Sequence, residues 1–141
     1  MSPAGARRGT RMKYVYPAKI ENDEGHLLVT FPDLPECFTE GDSLVEALEL
    51  AEDALEMMLT QREDQGDQIP EPTLAGQVHC EPGETVALVK ADTVAYRRRT
   101  SKASVKKTLT IPAWLDNAAE HHGVNYSKLL QDALIRHLHM E

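Results

Sequence analysis

Residues 106–141 hold one strand pattern and two helix patterns, an inventory too small to stand alone. Lys106-Lys107-Thr108-Leu109-Thr110-Ile111 alternates as a strand, and Pro112 follows where a first helical turn tolerates proline. Asp116 to His122 continues a short helix with Leu115, Ala118 and Ala119 turned inward, and Gly123 suits the left-handed residue that ends it. Asn125 is a good N-cap for a second helix, whose expected buried stripe is Leu129, Leu130, Ala133, Leu134 and Leu138. Below ~40 residues, a chain with no disulfide or metal usually cannot bury enough surface to fold by itself. One strand also leaves a row of backbone donors and acceptors unpaired on each edge. Pairing with the same strand of a second copy answers both problems, so an obligate homodimer through residues 106–141 is expected.

Charge divides the chain at about the same place. Residues 1–96 carry 7 basic against 19 acidic side chains, a balance of −12, whereas residues 97–141 carry 8 against 4, a balance of +4. An acidic unit repels nucleic acid and attracts basic proteins; a short basic unit engages phosphates and gains affinity by counterion release. Simple solvation of an acidic surface is the competing account of the first unit. With 41% hydrophobic and 27% charged residues the composition is that of a soluble globular protein. The longest hydrophobic run, Val86 to Val89, is far short of the ~20 residues a membrane span needs. Arg7, Arg8 and Arg11 have no apolar stretch after them, so no secretory signal is expected, and residues 1–11 are set aside. Cys37 and Cys80 make neither a disulfide framework nor a zinc spacing, which leaves a cytoplasmic location as the default.

In the acidic unit, Tyr14, Tyr16, Ala18 and Ile20 alternate on one face of a strand, and Leu27, Val29 and Phe31 do so on a second. Asn22-Asp23-Glu24-Gly25 between them is turn chemistry, so a hairpin is expected. Pro17 cannot donate to a ladder and is expected at an edge or a bulge. Pro32-Asp33-Leu34-Pro35 breaks the pattern before a short third strand, Glu36 to Glu40. Ser43 with Glu46 reads as a capping box opening a helix with an apolar stripe of Leu44, Leu48, Ala51, Leu55, Met58 and Leu59. Glu46, Glu49, Glu52, Asp53 and Glu56 form its solvated face. Glu63 to Gly83 is a polar loop rich in Pro and Gly, and Thr85 to Lys90 is a fourth strand. The expected unit is α+β, of order βββαβ, with the helix on one sheet face.

Several of these residues form a recognisable succession: Phe31-Pro32-Asp33-Leu34-Pro35, Cys37-Phe38-Thr39-Glu40-Gly41-Asp42-Ser43, Glu46-Ala47, Ala54-Leu55 and Ile69-Pro70-Glu71-Pro72. Over residues 12–92 it resembles the N-terminal domain of HicB antitoxins, with Glu36 standing where that family usually has Gly. The resemblance implies a degenerate RNase H-like fold that binds and occludes a HicA-type toxin, a compact basic ribonuclease that cleaves mRNA. It also implies that acidic domains of two copies pair, which would make a tetramer. Asp33 and Glu36 are the acids singled out for contact with a basic partner, with Phe38 beside them.

The strand, Ile111-Pro112 and two helices around Gly123-Val124-Asn125 resemble the ribbon-helix-helix (βαα) repressors, in which a two-stranded ribbon enters the major groove. Parity turns Leu109 and Ile111 toward the helices, with Lys107 at the frayed end, and leaves Lys106, Thr108 and Thr110 facing base edges of double-stranded operator DNA. Asn125, Tyr126, Ser127 and Lys128 are the expected phosphate contacts at the second helix's N-terminus. Residues 93–105 are read as a basic linker. Arg97, Arg98, Arg99 and Lys102 within it have two open readings, phosphate contact or solvated tether.

An active RNase H-like nuclease needs carboxylates converging on two metal ions, one of them from the first strand, and Lys13 to Ile20 has no Asp or Glu. The paired histidines, His121 with His122 and His137 with His139, lack the i, i+4 spacing of a helical zinc site. Neither an enzyme nor a metal or other cofactor is expected. The reading is therefore an antitoxin and autorepressor of HicB type. Its rival is a ribbon-helix-helix regulator whose acidic domain senses a small ligand and has no toxin.

Overall fold

A tight hairpin comes first among the residues that the computed structural model describes, 12–140; residues 1–11, set aside above, lie outside the described residues. Strands β1 (Lys13–Asp23) and β2 (His26–Thr30) are joined by Glu24-Gly25, with φ of 53° and 89°. Two successive positive φ values make a type I′ turn, whose twist matches that of the strands, and the Gly25 N–H donates to Asn22 Oδ1 at 2.9 Å. Strands β3 (Phe38–Gly41) and β4 (Glu84–Asp92) complete an antiparallel sheet of order β3-β2-β1-β4. Tyr14, Tyr16, Ala18, Ile20, Leu27, Val29, Val89 and Ala91 are buried on one face, as the alternation requires. The third strand begins later than its expected start at Glu36. The amides of Leu34 and Cys37 are used in successive turns, donating to Phe31 O and Leu34 O, so the turn set by the two prolines runs on to Cys37.

Pro17 corrects another expectation, because it lies in an internal strand. It faces Leu88 of β4, while β2 covers β1 only from Lys19 onward, so β1 has a ladder neighbour on one side at that point. A residue without an N–H is tolerated there for the same reason as on an edge.

Helix α1 (Leu44–Gln65) packs on the buried sheet face. Ser43 Oγ accepts from the Glu46 N–H at 3.1 Å, and the Glu46 carboxylate reaches back to the Asp42 N–H at 2.8 Å, one residue before the usual capping-box target. A Cβ on Gly41 would stand 2.9 Å from Ala47 N, so β3 approaches the helix closely because residue 41 has no side chain. Gly66, at φ 70°, ends the helix. Its buried stripe is Ala47, Ala51, Leu55 and Leu59, with Leu48 and Met58 partly covered; Leu44, expected in that stripe, is exposed. Glu56, expected on the solvated face, is buried, held between the Asp92 N–H at the end of β4 and Arg99 in the helix that follows.

The loop after α1 is pinned along its length. Arg62 Nη1 donates to Gln68 O at 2.7 Å, the Tyr16 hydroxyl donates to Pro70 O, and Lys19 Nζ donates to His79 O at 3.1 Å. Ile69 packs against the core and Ala75–Gln77 form one 3₁₀ turn. The Ile69-Pro70-Glu71-Pro72 motif is thus part of a strap that holds the sheet.

Residues 93–100, expected to belong to a linker, form helix α2 (Thr93–Thr100), which packs on α1. The acids of α1 explain it: Arg97 bonds Glu63 at 2.9 Å and Asp64 at 2.8 Å, and Arg99 bonds Glu56 at 3.0 Å. The described residues separate into two units, the first ending at Thr100 and the second beginning at Ser101.

The second unit contains α3 (Ala113–His121) and α4 (Tyr126–His137), joined through Gly123 at φ 64°. Residues 106–111 form no strand in the single chain, contrary to expectation, since a strand is defined by its partner and none is present. Neither helix has a buried residue, so the expected core of Leu129, Leu130, Ala133, Leu134 and Leu138 is not closed. Among the described residues no helix is long and apolar enough to cross a membrane.

Candidate functional site

In the second unit, residues 107–111 run beside α3 and α4 and form with them an open cleft of about 530 Å³. Lys107, Leu109 and Ile111 line it together with Leu129, Leu130 and Ala133 of α4. Lys106, Thr108 and Thr110 are exposed and outside that lining, which is the division that strand parity demands. Leu109 remains 64% exposed although it points into the cleft, and Trp114 on α3 is 72% exposed. An exposed apolar cleft of this kind is a surface suited to a partner.

The N-terminus of α4 is ordered by its cap. Asn125 Oδ1 accepts from the Lys128 N–H at 3.1 Å, so one of the three amides expected to hold phosphate is already engaged. The Tyr126 hydroxyl donates to Asp116 Oδ1 at 2.6 Å, and that bond to a carboxylate is the main reason its pKa is pushed up to about 12. Lys128 Nζ lies 3.3 Å from Asp132. The Ser127 hydroxyl has no hydrogen-bond partner among the described residues, and Ser127 lines the cleft.

In the first unit the three residues singled out for a basic partner have different positions. Asp33 is engaged internally, its two oxygens accepting from Thr73 N at 3.0 Å and Thr73 Oγ1 at 2.6 Å; it holds the strap. Glu36 pairs with Arg62 while half-exposed, and its own backbone amide, then Arg62, hold its carboxyl below the usual range. Phe38, on the edge strand β3, is 63% exposed. A large aromatic on a sheet edge of an acidic unit is a better anchor for a protein partner than either acid.

Two carboxylates escaped the sequence reading. Glu63 accepts from the Tyr14 hydroxyl at 2.6 Å, Thr93 Oγ1 at 3.0 Å and Arg97 at 2.9 Å, joining β1, α1 and α2. Glu56 accepts from the Asp92 N–H at 2.9 Å and from Arg99. The available signal was their seven-residue spacing, which places both on one side of α1, opposite Arg97 and Arg99 two residues apart.

A second cleft, about 820 Å³, opens between β1, β4, α1 and α2, and the buried acid in its wall is the engaged Glu56. Among the described residues no group of three His, Cys, Asp or Glu side chains is placed to hold a metal ion. Burial, and then the nearby Glu36 charge, push the Cys37 thiol up to about 11, which leaves it an inert core residue. Cys80 is partly exposed. His121 and His122 each contact a carbonyl one turn back on α3, Asn117 O at 2.8 Å and Ala118 O at 3.0 Å.

Comparison with known proteins places these features in a family. The HicB-like antitoxins of bacterial toxin-antitoxin systems match residues 16–134. Antitoxin HicB 2 of Photorhabdus laumondii subsp. laumondii is 37% identical over 95 residues, which is 67% of this chain and 68% of the relative. Antitoxin HicB 1 of the same organism is 40% identical over 73 residues, 51% of this chain and 47% of the relative. Among solved structures, a chain of a toxin-antitoxin complex from Streptococcus pneumoniae superposes with a TM-score of 0.57 at 25% identity, covering 89% of this chain and 99% of that one. The Burkholderia pseudomallei antitoxin HicB shares the fold, with a TM-score of 0.51 at 18% identity over 86% of this chain and 96% of that one.

Proposed function

Because the chain belongs to the HicB-like antitoxin family of bacterial toxin-antitoxin systems, we propose that its acidic unit occludes a HicA-type ribonuclease while its basic unit represses the operon that encodes the pair. As an antitoxin of this family it acts by binding and is not an enzyme. The observation that carries the finer reading is the contrast between the two units: the first has a closed core, and α3 and α4 of the second bury nothing.

The first unit, degenerate RNase H-like in this reading, offers the toxin an edge strand with Phe38 at its exposed end and Glu36 close by. Apolar contact at Phe38 supplies affinity, while the acidic surface speeds encounter with a basic partner and disfavours wrong ones. In the second unit, strand 106–111 pairs with its copy across a two-fold axis in ribbon-helix-helix fashion. That pairing satisfies its backbone and closes the cleft over Leu109 and Ile111. The ribbon so formed turns Lys106, Thr108 and Thr110 toward base edges. The free amides of Tyr126 and Ser127, with the Ser127 hydroxyl, hold a phosphate; Asn125 acts as the cap that presents them, and Lys128 adds charge. Pairing of two acidic units as well would convert the dimer into a tetramer.

RNA cleavage by the purified toxin, titrated with this protein, tests the first half. Cleavage should vanish near equivalence and persist in part with Phe38→Ala; undiminished cleavage at saturating antitoxin overturns the reading. For the second half, Lys106→Ala and Thr108→Ala should each weaken operator binding by about 1–3 kcal/mol. Unchanged gel shifts would contradict the assigned strand face.

A further inference from the structure

From Thr93 to Leu115 the chain contains Arg97, Arg98, Arg99, Lys102, Lys106 and Lys107 and no Asp or Glu, in a protein of net charge −8. The fold divides these cations into two sets. Arg97 bonds Glu63 and Asp64, and Arg99 bonds Glu56 and lies 3.6 Å from Asp53. Glu56 and Glu63 are nearly buried, so withdrawing either arginine would leave a carboxylate charged and largely out of water. Those two arginines are held by carboxylates of α1, which discounts them as phosphate contacts. The Arg98 side chain, between them on α2, is exposed and makes neither a hydrogen bond nor an ion pair among the described residues, and the same is true of the Lys102 side chain.

We propose that Arg98 and Lys102 form a phosphate-contacting arm that extends the DNA footprint beyond the ribbon, without reading sequence. The inference rests on the DNA-binding reading above and concerns residues outside the strand and the α4 N-terminus. Three observations select this ligand. The segment is free of acids, which disfavours a basic protein partner and suits a polyanion. Residues 101–105, between α2 and the ribbon strand, are exposed and belong to no helix or strand, so the chain there is free to follow a backbone. Arg98 precedes Lys106 by eight residues, at most about 28 Å of extended chain, within reach of phosphates flanking a ribbon-bound site. Each contact of this kind releases counterions whatever the base sequence, so the arm adds affinity and salt dependence and leaves base preference unaltered.

The test uses the full chain and a long mixed-sequence DNA duplex, with binding measured as a function of salt. Arg98→Ala combined with Lys102→Ala should make the slope of log K against log salt shallower by about 1.8, from roughly 0.9 per lost phosphate contact. Arg98→Lys, which keeps the charge, should retain the wild-type slope. Arg97→Ala should lower the melting temperature and leave the slope unchanged. A wild-type slope in the double variant overturns the arm while leaving the ribbon in place. Failure of the wild-type protein to bind any duplex overturns the DNA-binding reading itself. Loss of slope in Arg97→Ala with no loss of stability would show that the division of the arginines is wrong.

Discussion

Glu24 adopts the left-handed backbone region with φ of 53°, a conformation that costs an ordinary residue roughly 1 kcal/mol and Gly or Asn much less. Glu24→Asn should therefore raise stability by about 0.5–1 kcal/mol, seen as a melting temperature a few degrees higher. Gly41 makes the opposite case: Ala there would push a methyl onto Ala47 N and lower stability by about 1–3 kcal/mol on the same assay. His26 predicts a pH dependence. Its hydrogen bond to Asp42 at 3.1 Å, and then its contact with Glu40 at 3.2 Å, raise its pKa above 6.5. The charged form is thus the one favoured by folding, and its contribution is complete below pH 6.5 and fades as pH rises through the raised value. Thermal melts of His26→Ala should lose that slope on the alkaline side of pH 6.5, and an identical slope in both proteins would refute the assignment. The hairpin was legible because Asn22 to Gly25 carry turn chemistry between two alternating runs; which carboxylates are buried was not, since burial of Glu56 depends on a helix dozens of residues later.

Helix α2 shows how an element can be concealed by its composition. Arg97, Arg98 and Arg99 read locally as tether or DNA arm, and only the acids of α1 turn the segment into a docked helix. Its own sequence supplies little amphipathic pattern, so the deciding term is tertiary charge pairing, which periodicity does not report. The capping box, the stripe of α1, the order βββαβ and the Asn125 cap were all visible, because each rests on contacts within a few residues. The element-scale prediction concerns Glu63 of α1, whose carboxylate gathers donors from β1 and α2. Glu63→Ala should lower stability by about 2–4 kcal/mol and expose Thr93–Thr100 to proteolysis, because three donors lose their acceptor. Asp33→Ala, which frees Thr73, should loosen the strap and leave α2 protected; simultaneous loss of both would mean that the two contacts are not separate.

At the scale of the whole molecule, the chain combines a unit with a closed core and one whose helices bury no residue. The expectation of a shared sheet comes from length and unpaired edges; Leu109 beside the helices, Trp114 on α3 and Leu129 on α4 are exposed, which is the surface such a pairing would cover. Asp33 was harder to read, because it looks like a surface acid in sequence and is a strap anchor in space. Mass action then makes a definite demand: if α3 and α4 are stable only when two chains share a sheet, their melting must depend on protein concentration while that of the first unit need not. Sedimentation equilibrium with parallel circular dichroism over a dilution series tests this most directly. The account predicts dimers or tetramers at micromolar concentration, and a loss of helical signal that tracks the appearance of single subunits on dilution. A single subunit that keeps its full helical signal would contradict it.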